Sequence, residues 1–115
     1  MKKLIYFGLF FCLHICVAQS DADYGNTMKT IIESYNANDA QKIFDQFSTD
    51  LQATFTIDKV KEFVTKTLEN QGKFSEFDFM DNDGGNRYLV QSESDSIILV
   101  ITLSADLKLT KFAVE

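Results

Sequence analysis

The apolar residues of this chain change their spacing once, at Gly72. From Tyr24 to Leu68 they recur at three- and four-residue intervals, and from Lys73 onward they alternate with polar residues. The first spacing belongs to helices that bury one stripe, and the second to strands that bury one face. A block of helices followed by a block of strands, with no interleaving, predicts an α+β fold with helices on one face of an antiparallel sheet.

Three helices are predicted before Gly72. Ser20 caps the first, Asp21 and Asp23 sit where the helix dipole favours negative charge, and Tyr24, Met28, Ile31, Ile32 and Tyr35 form its stripe. Asn36-Ala37-Asn38 breaks it. Asp39 caps a second helix with the stripe Ala40, Ile43, Phe44 and Phe47, followed by an irregular stretch around Ser48-Thr49-Asp50. Thr56 caps a third, whose buried face is Ile57, Val60, Phe63, Val64, Thr67 and Leu68, and Gly72 stops it.

Four strands follow. Phe77 and Phe79 face one side of the first, with Asp78 and Met80 on the other. Asp81-Asn82-Asp83-Gly84-Gly85-Asn86 turns into a second strand, where Tyr88 and Val90 alternate with Leu89 and Gln91. After Ser92-Glu93-Ser94-Asp95, the run Ile97 to Leu103 is apolar on both faces, which predicts a central strand covered on each side. Ala105-Asp106 turns into a last strand, Leu107 to Val114. Short connections make the sheet a curved antiparallel meander.

The segment ahead of the first helix reads as an export signal. Lys2 and Lys3 precede an apolar run from Leu4 to Val17, and Cys16-Val17-Ala18 places small residues at −3 and −1 of a cut before Gln19. The run is shorter than the roughly 18–20 residues that span a bilayer. The expected organisation is a cleaved signal at residues 1–18 and one domain at 19–115, secreted or periplasmic, with no membrane attachment after cleavage. Cleavage removes two of the 11 cationic residues and leaves 9 against 17 acidic ones, a net charge of −8. Such a surface repels phosphate backbones, so no nucleic-acid partner is expected.

The only His (His14) and both Cys (Cys12, Cys16) lie inside the signal, and the chain has no Trp or Pro. Residues 19–115 therefore contain no imidazole or thiolate for catalysis or soft-metal binding, and no disulfide. No catalytic, cofactor-binding or metal residue is assigned, and no cofactor is expected. Asp81 and Asp83 stand two apart as in a calcium loop, but Gly85 and Ser92 occupy the fifth and twelfth ligand positions, so the segment reads as a turn. No Ser-x-x-Lys is present: Ser48, Ser75 and Ser104 are followed at that spacing by Leu51, Asp78 and Leu107, which excludes a serine β-lactamase or penicillin-binding mechanism. Lys29, Lys42, Lys59, Lys61 and Lys66 read as solubility charges on polar helix faces.

The aromatic set (Phe44, Phe47, Phe55, Phe63, Phe74, Phe77, Phe79, Tyr88, Phe112) reads first as core, since a disulfide-free domain needs bulky side chains worth about 1.5–3 kcal/mol each on burial. Its second reading is the lining of an apolar pocket.

Asp39 to Ser48, Val60-Lys61-Glu62-Phe63, Gly72-Lys73-Phe74 and Leu103-Ser104-Ala105-Asp106-Leu107-Lys108-Leu109 together resemble the family known as domain of unknown function 3887. The resemblance implies a nuclear transport factor 2-like, cone-shaped fold over Asn38 to Val114. It also implies kinship with modules that precede secreted hydrolases, including serine β-lactamase-related enzymes, or that occur alone as small exported proteins. It carries no site residue. The family usually has Gly between the Asp and Lys of the last hairpin turn, where this chain has Leu107. The chain ends just after its last strand, which suits either a standalone protein or a leader module.

Three functional expectations follow. The leading one is an exported, non-catalytic accessory or binding module that presents a pocket or sheet face to a small apolar ligand or a protein partner. The second is a small pocket enzyme, isomerase- or cyclase-like, using a buried carboxylate, for which Asp78 beside Phe77 and Phe79 is the candidate. The third is a homodimer with Phe77, Phe79 and Ile98 in its seam.

Overall fold

A computed structural model describes residues 21–115. The expected signal at residues 1–18 and the Ser20 cap lie outside the described residues. Four helices precede four strands: α1 (Asp21–Asn36), α2 (Ala40–Phe44), α3 (Thr49–Thr54), α4 (Ile57–Gln71), β1 (Phe74–Asn82), β2 (Asn86–Ser92), β3 (Ser96–Leu103) and β4 (Leu109–Val114). The strands form one antiparallel sheet in the order β1-β2-β3-β4, the expected meander. No described helix is long and apolar enough to cross a membrane.

The stripe expected for α1 is the stripe that α1 buries: Met28, Ile31, Ile32 and Tyr35 are all in the core, with Tyr24 packed against it. The helix stops in a Schellman turn. Asn38 takes the left-handed conformation (φ 57°), its amide donates to the Tyr35 carbonyl, and the Asp39 amide donates to the Ser34 carbonyl. Asp39 then starts α2 by accepting from the Lys42 amide at 3.1 Å. One residue thus closes one helix and opens the next.

Three corrections apply to the helices and to the end of the sheet. A fourth helix, α3, occupies part of the stretch expected to be irregular, and Ser48 caps it by accepting from the Leu51 amide at 3.2 Å. The second helix ends at Phe44. Phe47 instead lies beside Leu109 in an isolated parallel bridge, with the Leu109 amide donating to the Gln46 carbonyl and the Ser48 amide to the Leu109 carbonyl. The last strand starts at Leu109, because Leu107 has φ 63° and belongs to the turn. Thr56 stands at the N-cap of α4 in extended geometry, but its side chain makes no capping hydrogen bond.

Gly72 ends α4 as expected, and two constraints require glycine there. Its φ is +82°, and a Cβ would lie 2.8 Å from Glu93 Cβ. This close approach docks the helix end on the β2–β3 turn. Ser94 Oγ donates towards the Asn70 and Gln71 carbonyls, and Ser92 Oγ donates to Gln71 Oε1.

β3 buries Leu99, Ile101 and Leu103 against the helices, beside Val90 of β2 and Phe112 of β4. Its opposite face is covered in part. Val100 is buried, whereas Ile98 is half-buried. The cover over Val100 is the β1–β2 turn, which curls back so closely that a Cβ on Gly85 would lie 3.0 Å from Val100 Cγ1 and 2.9 Å from Thr102 Oγ1. Lys111 of β4 holds the turn by donating to the Gly84 carbonyl at 2.6 Å.

Candidate functional site

Most of the aromatic set is core. Phe47 packs against Phe44, Phe55 and Phe112, Phe112 meets Phe63, Phe63 meets Tyr35, and Tyr35 stacks on Phe74 with centroids 3.8 Å apart. Three rings form a second contact group at the margin of the core: the buried Tyr88 makes edge contacts with Phe77 and Phe79, with centroids 5.8 and 5.7 Å apart.

The strand register explains this grouping. Phe77 pairs with Val90 and Phe79 with Tyr88, so alternation puts both phenylalanines and Tyr88 on the helix side of the sheet. Phe77 packs at the edge of the core. Phe79, one repeat further along β1, is 57% exposed although it faces the helix side. The N-terminal part of α1 borders it, and there the chain has Gly25, where an added Cβ would meet no atom within 4 Å outside its own helix backbone and chain neighbours. The result is a recess of about 260 Å³ lined by Asp21, Gly25, Phe77, Phe79 and Tyr88. Its size lies just below the roughly 300–1,000 Å³ of drug-sized pockets.

A short side-chain relay holds the Tyr88 hydroxyl. Asn82 Nδ2 donates to Asn86 Oδ1 at 2.8 Å, and Asn86 Nδ2 donates to the Tyr88 hydroxyl at 3.3 Å. Burial pushes the Tyr88 hydroxyl above its ordinary pKa, the Asn86 contact opposes this, and the charges of Tyr24 and Asp21 add to the rise. Asp21 is exposed at the rim and has no ion-pair partner among the described residues.

A wider concavity of about 390 Å³ lies at Asn38, Asp39, Ala40, Gln41, Lys61 and Thr65. It has no aromatic wall, and its Asp39 carboxylate is already engaged in capping α2.

The carboxylates expected to matter are elsewhere. Asp78 is exposed and pairs with Leu89 on the sheet face away from the helices, so it is not a buried base beside Phe77 and Phe79. Asp81 moves to that same outer face because Met80 forms a bulge between Phe79 and Asp81. There Arg87 donates to Asp81 at 2.9 Å and to Glu115 at 2.8 Å, and these contacts, Glu115 first, hold the guanidinium pKa above its ordinary value. The segment containing Asp83 is a hairpin turn, and no group of three His, Cys, Asp or Glu able to hold a metal occurs among the described residues.

The dimer seam does not assemble as expected. Phe77 and Phe79 face the helices, while Ile98, which pairs with Leu89, lies on the other side of the sheet. The five lysines Lys29, Lys42, Lys59, Lys61 and Lys66 are exposed, as surface charges should be.

Sequence reasoning grouped Phe77 with Phe79 but left Gly25 and Asp21 out of any site. The available signal was a glycine between Tyr24 and Met28, inside a helical stripe where it costs about 1 kcal/mol relative to alanine.

Comparison of the chain with protein-family models, with curated proteins and with solved structures finds no match.

Proposed function

We propose that this chain is an exported, non-catalytic binding module of the nuclear transport factor 2-like type, akin to the leader domains of secreted hydrolases, and that its ligand site is the recess beside Phe79. The observation that carries the reading is the exposure of Phe79 on the core side of the sheet, at a place where α1 has no side chain to cover it. Leaving the Phe79 ring 57% exposed forfeits part of the about 1.5–3 kcal/mol that full burial gives. A Cβ at position 25 would meet open space, so the opening beside Phe79 is not closed by packing against that position. Helices followed by a four-stranded meander support the fold type, and the lysine start, apolar run and Cys16-Val17-Ala18 support export.

The test is an amide-shift titration of the purified chain with benzyl alcohol, an aromatic fragment small enough for the recess. Saturable shifts at Gly25, Phe79 and Tyr88, lost in Phe79→Ala, are expected. Shifts that scatter over the surface, or persist unchanged in the variant, would refute the site. Turnover of a hydrolase substrate panel that disappears on replacing one Asp or Glu would refute the non-catalytic reading.

A further inference from the structure

We infer that the recess selects an organic cation with an apolar shell, of the quaternary-ammonium class, an inference that rests on the ligand-binding reading above. Phe77, Phe79 and Tyr88 line one small volume, with Phe79 the most exposed of them, and aromatic rings attract such a cation over their faces. The Asp21 carboxylate at the rim supplies a full negative charge that no described cation neutralises.

The competing ligand classes fare worse. An anion would meet both the ring π-clouds and Asp21. A neutral apolar molecule would partly desolvate Asp21 with nothing in return. A strongly hydrated cation such as ammonium or lysine would lose water that the aromatic wall cannot replace. A quaternary ammonium group carries its charge on methyl groups, so it suits both the apolar wall and the acidic rim.

Two local features oppose a cation: the N-terminus of α1, equivalent to about half a positive charge, and the α-amino group that cleavage before Gln19 creates two residues from Asp21. Asp21 and Asp23, both in the first turn, oppose these with two acidic side chains. The field of Asp21 also reaches the rings, since it is one of the influences raising the Tyr88 hydroxyl, after burial and Tyr24. At longer range, the excess of acidic over basic residues in 19–115 draws cations towards the molecule, an attraction that salt screens.

Choline and its neutral carbon isostere 3,3-dimethyl-1-butanol have nearly the same shape and differ in charge. Titrating both into the purified chain, with amide shifts as the readout, separates charge recognition from apolar fit. Choline is expected to bind about tenfold tighter than the isostere. Asp21→Asn should weaken choline several-fold without weakening the isostere, and Phe79→Ala should weaken both. Asp21→Ser, which keeps a residue suited to a helix start, guards against loss of fold in the first variant. Equal binding of the two compounds at Gly25, Phe79 and Tyr88 would overturn the cation inference and leave the binding site standing. Binding of neither would overturn both.

Discussion

The side-chain amide of Asn36 pairs with Phe74 as a neighbouring strand would: Asn36 Nδ2 donates to the Phe74 carbonyl at 2.8 Å, and the Phe74 amide donates to Asn36 Oδ1 at 2.9 Å. The last residue of α1 thereby satisfies both backbone groups of the first residue of β1. Phe74 is fixed at this point to stack on Tyr35. Asn36→Asp keeps the size but turns the donor into an acceptor aimed at a carbonyl. It should cost about 2 kcal/mol, read as a lower urea midpoint, together with faster exchange of the Phe74 amide. An unchanged midpoint would show that the clamp contributes nothing.

Tyr35 is fully buried, and its hydroxyl donates to the Gly72 carbonyl at 2.7 Å. Burial, helped by the Glu93 carboxylate, pushes its pKa from 10.0 up to about 12. Between those values the unfolded chain releases this proton while the folded chain keeps it. Its contribution to stability is therefore complete below pH 10 and falls as pH rises towards 12, by about 2 kcal/mol. Tyr35→Phe should flatten this part of the stability-against-pH curve, leaving the lysines and other tyrosines as a common background. Parallel curves for the two proteins would refute the assignment.

Leu107 has φ 63°, a region that costs a residue with a Cβ about 1–2 kcal/mol. Its side chain is 46% exposed and offsets little of that strain. Leu107→Gly should raise stability by about 0.5–1 kcal/mol after allowing for the extra freedom of the unfolded chain, whereas Leu107→Ala should not. Thermal unfolding of the two variants distinguishes them.

Much of the fold was legible because period and burial agree. Met28, Ile31, Ile32 and Tyr35 follow one helical stripe, and Leu99, Ile101 and Leu103 follow one strand face. The helix α3 was not legible because it is six residues long and buries none of them, so it has no stripe to read. The placement of Asp81 was hidden by the Met80 bulge, a one-residue insertion that reverses which face follows. The cover of Val100 comes from a turn folding back over the sheet, a contact that no periodicity encodes. The recess was half legible. Alternation put Phe77 and Phe79 on one face, but the recess beside Phe79 also needs Gly25, which comes from a helix more than fifty residues earlier.

Gly25 also separates the recess from the stability of the fold. Gly25→Leu should strengthen α1 by about 0.8 kcal/mol through helix propensity and fill the space over Phe79. The decisive quantity is the benzyl alcohol dissociation constant of Gly25→Leu beside that of the unaltered chain. A variant at least as stable as the parent that binds more than tenfold weaker would support the recess as the working site. Undiminished affinity in that same well-folded variant would place the working surface of this protein elsewhere.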